Sequence, residues 1–195
     1  MKRIIATLAF LLSLTLVQAQ DKPEGLFINS KAPDFKAKDQ NGNEVSLKDM
    51  RKKGNVVVVF YRGNWCPFCN RYLKKLQDSL EFITAKGAQV VAISPEGDEG
   101  IDSMAAHTGA TFPLVYDKDM KIGKNYKVMY RVDDRTVGRY KNAGIDLLKN
   151  NNQTKDAYLP VPAVYIVNTE GSVTFRFFDE DYKTRVSVKE ILKAL

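Results

Sequence analysis

Histidine occurs once in this 195-residue chain, as His107, and cysteine only twice, as Cys66 and Cys69. A closed zinc site needs a full set of cysteine and histidine ligands, so no zinc is expected, and no other metal or cofactor is implied. Both cysteines lie in a single CxxC, where a bridge restrains little of the unfolded chain, so the sequence is not a disulfide framework. Low-complexity tracts are missing too, and with 44% hydrophobic residues the chain suits one domain around one core. The net charge of +7 is dispersed among mixed acidic and basic residues. No basic block is interleaved with aromatics, which argues against nucleic-acid binding. His107 lies in the mixed segment Ser103 to Thr108 and reads as a surface residue.

Long apolar runs are absent beyond the first twenty residues. There, Lys2-Arg3 precedes an apolar stretch from Ile4 to Val17 and the small-residue site Val17-Gln18-Ala19, the pattern of a secretory signal. Its uncharged core of about fifteen residues falls short of the roughly 20 that span a bilayer, and no stop-transfer sequence follows. The expectation is a signal peptide over residues 1–19 and one domain over residues 20–195, exported to the bacterial periplasm without stable membrane insertion after cleavage. An uncleaved anchor is the alternative. No cysteine follows the cleavage site, so a lipid-anchored lipoprotein is not expected.

What the chain does have is a concentrated motif. Asn64-Trp65-Cys66-Pro67-Phe68-Cys69 follows the apolar run Val56 to Tyr61, which reads as a strand buried on both faces. From Cys69 onward, Leu73, Leu76, Leu80 and Ile83 recur at helical spacing, and Gly87 ends that helix. Upstream, Asn41-Gly42 between two alternating segments predicts a hairpin, and Lys48 to Lys53 a connecting turn. Downstream, strands are expected at Ala88 to Ile93 and Phe112 to Tyr116, with helices at Glu99 to Ala106 and Asp119 to Tyr130. Val132 to Tyr158 is a polar excursion with little periodicity. A closing hairpin over Ala163 to Val167 and Val173 to Phe178 precedes a last helix from Val186 to Leu195. Strands alternating with helices and then a hairpin indicate an α/β sandwich with a mixed central sheet.

Two thiols at a strand-to-helix junction face each other across one turn and can exchange a disulfide. The helix starting near Pro67, a residue suited to a first turn, directs unpaired N–H groups and its positive dipole end at Cys66. Arg62, Arg71, Lys74 and Lys75 add positive charge, although the last three also fit a solvated face. Cys66 is expected to be exposed at the helix start, and Cys69 to lie one turn in on the apolar stripe. In disulfide exchange Cys66 then attacks and Cys69 resolves. Two inert structural cysteines are the competing reading.

These residues, with Ala32-Pro33-Asp34-Phe35, Val90 to Pro95, Pro113 to Asp117, Leu159 to Val167 and Gly171, resemble the thioredoxin-fold superfamily. Within it they are similar to the peroxiredoxins of the alkyl hydroperoxide reductase C and thiol-specific antioxidant branch, in a CxxC-bearing variant. The resemblance implies a thioredoxin-like α/β/α sandwich from about Ala32 to Leu195. Aligned on Phe60-Tyr61, it places Arg62 on the family's motif proline, Cys66 on its threonine and Cys69 on its peroxide-attacking cysteine. The family's active-site arginine falls on Pro162. In thioredoxins that position is a cis-proline facing the CxxC, so Val161-Pro162 is expected to be cis, to lie against Cys66 and to present the Val161 backbone to substrate. Thioredoxin's buried acid falls on Phe60, which leaves its proton relay missing.

The resemblance thus implies a thiol oxidoreductase that reduces hydroperoxides through a redox-active Cys66–Cys69 disulfide, supported by Arg62, Trp65, Pro67, Val161 and Pro162. An external dithiol, such as a thioredoxin-like protein, would regenerate it. Periplasmic exchange on protein disulfides and a redox-inactive binding module are the alternatives. Which cysteine attacks first stays open, because helix electrostatics favours Cys66 and the family pattern favours Cys69.

Overall fold

The computed structural model describes residues 22–195, so the expected signal segment at residues 1–19 lies outside the described residues. The first hairpin pairs β1 (Lys36–Lys38) with β2 (Glu44–Ser46), and Asp39 organises its turn by accepting from the Asn41 and Asn43 N–H groups. The expected turn that follows is instead a short helix, α1 (Leu47–Arg51). Ser46 caps it and Leu47 and Met50 bury its inner face. Strand β3 (Val56–Phe60) is buried at every position, as its unbroken apolar run requires.

The long helix expected after the CxxC is two helices, α2 (Pro67–Asp78) and α3 (Leu80–Ala85), separated at Ser79 with φ −113° and ψ 9°. Leu76 and Ile83 stay buried on either side of the break. Their separation is two helical turns, so hydrophobic spacing alone cannot reveal the interruption. Next come β4 (Gln89–Ser94), α4 (Asp98–Thr108) and β5 (Leu114–Tyr116). Gly109 ends α4 in the left-handed conformation, φ 65°.

The helix expected over Asp119 to Tyr130 does not form as such. A 3-10 turn at Lys118–Met120 leads into α5 (Lys121–Asn125) and then strand β6 (Met129–Arg131). Positive φ angles at Asp119, Met120 and Lys127 interrupt any continuous helix. The buried Asp117 carboxylate anchors α5 by accepting from the Ile122 and Gly123 N–H groups at 2.8 and 2.7 Å. The polar excursion is also ordered differently from expectation. It holds α6 (Asp134–Asn142) and α7 (Leu147–Asn150), capped by Asp133 and Asp146, before β7 (Tyr158–Pro160) pairs with β6. Val132, Leu147, Ala157 and Leu159 form a small core there, with Tyr140 and Trp65 packed against it.

The closing hairpin of β8 (Ala163–Val167) and β9 (Val173–Phe178) and the last helix, α8 (Val188–Ala194), follow the expected pattern. The central sheet has the order β5-β4-β3-β8-β9, with β3, β4 and β5 parallel and β8 antiparallel to both β3 and β9. It is the mixed five-stranded sheet of a thioredoxin-like α/β fold. Val57, Val59 and Tyr61 face one core with α2 and α4, while Val56, Val58 and Phe60 face the other with Leu47, Tyr126 and Tyr165. Phe60 pairs with Ile93 of β4 and Ala163 of β8. The CxxC turn therefore leaves the sheet at the carboxyl ends of its parallel strands, where open α/β sheets place their sites.

Candidate active site

Cys66 is the N-cap of α2 and Pro67 occupies the first turn, as the motif predicts. The Cys69 and Asn70 N–H groups donate to the Cys66 carbonyl at 2.9 and 3.1 Å, which closes the first turn tightly. Both cysteines are free thiols, and both are buried. The expected exposure of Cys66 is therefore corrected: it is 1% exposed, enclosed in the core cluster together with Cys69 and Tyr72.

The two thiols differ in acidity. The Cys69 thiol donates toward Cys66 and, with the Cys69 and Phe68 backbone N–H groups and the nearby Arg62 guanidinium, outweighs burial and brings the Cys66 thiol down to about 6. Burial holds the Cys69 thiol well above its ordinary range, and the Cys66 charge adds to that, despite Arg185. Cys66 is therefore the more acidic of the two thiols and Cys69 the one that holds its proton more tightly.

Arg62 is buried at 2% exposure. Its guanidinium lies 4.2, 4.9 and 5.5 Å from the ring centroids of Tyr182, Trp65 and Tyr140, and it donates to the Tyr140 hydroxyl. Trp65 in turn meets Tyr140 edge-on at 5.1 Å. Arg71, Lys74 and Lys75 belong to the solvated face, where Arg71 covers Phe68 and Lys74 pairs with Asp78.

Val161 and Pro162 are buried beside this turn, since the next residue, Ala163, pairs with Phe60. The expected cis bond is not present, because every peptide among the described residues is trans. The Val161 N–H is also taken, donating to the Val128 carbonyl at 2.8 Å as the β6–β7 ladder continues. An extended substrate cannot use that donor.

Four site residues escape the sequence reading. Arg185, in the turn before α8, places Nη2 3.5 Å from the Cys69 sulfur, so a cation reaches this thiol from a position other than 162. Tyr140 and Tyr182 enclose Arg62 from segments without a motif. Glu96, after β4, is 1% exposed and accepts from the Asn64 N–H at 2.6 Å. Burial raises its carboxyl to about 7, the Asn64 N–H opposes that, and the Cys66 charge adds to it. Only Glu96 carried a usable signal, a carboxyl at the end of the strand parallel to β3.

A cysteine pair of unequal acidity at a helix N-terminus on this sheet is an arrangement suited to thiol redox chemistry on a thioredoxin-like fold. The chain belongs to the AhpC/TSA family, which it matches over residues 28–176. A Mycobacterium tuberculosis protein named as a peroxiredoxin is 38% identical over 92 residues, covering 47% of this chain and 58% of that relative's length. The thiol-disulfide oxidoreductase ResA of Bacillus thuringiensis is 30% identical over 128 residues, 64% of this chain and 72% of that one. The crystal structure of the peroxidoxin BcpB from Mycobacterium tuberculosis superposes with a TM-score of 0.66 at 16% identity, covering 86% of this chain and 94% of that one. That likeness establishes the fold.

Proposed function

We propose that this chain is a thiol-dependent hydroperoxide reductase in which Cys66 attacks and Cys69 resolves. One observation carries the reading: the more acidic sulfur, Cys66, is buried at 1% exposure. A hydroperoxide head is close to water in size and needs little room, whereas a protein disulfide must bring a large surface to the sulfur. The Cys66 thiolate attacks the terminal oxygen of the hydroperoxide, the O–O bond breaks, and an alkoxide leaves as Cys66 becomes a sulfenic acid. Cys69 then attacks that sulfur, water departs, and the Cys66–Cys69 disulfide forms. An external dithiol, such as that of a thioredoxin-like protein, restores both thiols by exchange.

Exchange on protein disulfides is the second reading. It is favoured by the acidity of Cys66 rather than of Cys69, and by the similarity to ResA. Second-order rates of the reduced protein with hydrogen peroxide and with an oxidised dithiol separate the two. Peroxide is expected to react faster, and the reverse order would favour exchange. Thiols inert to both would leave a binding module.

Export to the periplasm is part of the same proposal, supported by the Lys2 to Ala19 pattern. Intact mass of the secreted protein is expected to place its first residue at or near Gln20. Retention of Met1 to Ala19 in a soluble exported form would contradict this.

A further inference from the structure

Glu96 is a buried carboxyl group that enters no ion pair among the described residues. The fold makes room for it. A Cβ at Gly100 would lie 2.1 Å from Glu96 Cγ, and one at Gly63 would lie 3.1 Å from Glu96 Cδ and 2.4 Å from Trp65 Nε1. Two glycines, one on each side, thus clear the space that the carboxyl fills. Its Oε2 holds the Asn64 N–H at 2.6 Å, and the Cys66 N–H donates to the Gly63 carbonyl at 3.2 Å, so one turn carries both the carboxyl's partner and the reactive sulfur. On its other side Glu96 lines a cleft of about 460 Å³ with Asn64, Ser103 and Asn152, a route to water. The titratable and charged groups facing it are Tyr61 and Cys66 from the β3–α2 turn, Asp98 and Glu99 of α4, and Lys149 of α7.

Resting on the hydroperoxide-reductase reading, we propose that Glu96 is the acid of the reaction, protonating the departing alkoxide. Protonated Glu96 gives its proton to the alkoxide, which leaves as an alcohol, and Glu96 becomes a carboxylate. When the Cys69 sulfur attacks the Cys66 sulfenic acid, the thiol's own proton goes to the departing hydroxide, which leaves as water. The sum is one thiolate, one thiol, one hydroperoxide and one carboxylic acid giving a disulfide, an alcohol, water and a carboxylate. The cleft then re-protonates Glu96 from solvent. This acid follows β4, whereas the position the thioredoxin pattern marks is Phe60 at the end of β3.

The test follows oxidation of the reduced protein by hydrogen peroxide through the fluorescence of Trp65, the chain's one tryptophan and the neighbour of Cys66. The native rate is expected to rise with pH through about 6 as Cys66 ionises and to fall through about 7 as Glu96 loses its proton. Glu96→Gln keeps an oxygen for the Asn64 N–H, should lose the falling limb, and should lower the maximal rate by about 100-fold. A native rate that stays level above about 7 would overturn the proposal. So would a Gln variant that keeps the falling limb. The native profile decides even if the variant does not fold. Thiols inert to peroxide at every pH would instead remove the hydroperoxide-reductase reading beneath it.

Discussion

Cys66→Ser is expected to lose peroxide turnover by roughly 10³-fold or more, while Cys69→Ser keeps the first oxidation and stops at a sulfenic acid that a dimedone-type probe labels. The argument rests on unequal acidity inside one helical turn. Cys66 is brought to about 6 by the Cys69 thiol, the first-turn N–H groups and Arg62, whereas burial holds Cys69 high. On the proposed reading the sulfur that attacks near neutral pH is Cys66, whereas aligning the chain on the peroxiredoxin pattern puts Cys69 at the peroxide-attacking place. Labelling of Cys69 in the Cys66→Ser variant, with none at Cys66 in the Cys69→Ser variant, would reverse the assignment.

Replacing Arg62 with methionine, which is similar in length but uncharged, should raise the Cys66 pKa by roughly one unit, about 1.4 kcal/mol of thiolate stabilisation. Thiolate absorbance titrated against pH reads this directly, and an unchanged midpoint would show that the Cys69 thiol and the helix terminus set the acidity without Arg62. The same substitution alters stability against pH. The Cys66 pKa lies below its ordinary value of 9.0 in the fold, so its contribution is fully present above about 9 and is lost as pH falls through about 6. The Glu96 carboxyl works in the opposite direction. Its pKa is raised, so its contribution is present below 4.5 and is lost as pH rises through about 7.

The sheet was readable because its strands advertise themselves. Val56 to Phe60 is continuous and apolar, Gln89 to Ser94 nearly so, and both are buried as such runs must be. The CxxC and Pro67 were equally legible, since a helix start is written in local residue types. The break at Ser79 was hidden because the buried leucine and isoleucine keep their spacing across it. The helices α6 and α7 were hidden because they bury little: α6 has no fully buried residue, and its cap, Asp133, is a single polar side chain. Arg185 and Glu96 could not be assigned to the site from spacing, because what brings them to the thiols is the path of the chain around the sheet.

That path determines when the chemistry becomes available. The Arg62–Tyr140 hydrogen bond joins residues 78 positions apart, and the Arg185–Cys69 contact joins residues 116 apart. Such non-local contacts repay their loop-closure entropy only late in folding. In an unfolded chain both thiols have ordinary acidity and are mostly protonated near neutrality, so oxidants attack them slowly. The acidic Cys66 thus emerges only once the first turn of α2 is formed and Arg62 is held in place by Tyr140. A newly made chain is shielded from oxidants by being unfinished, and gains reactivity and structure in the same event.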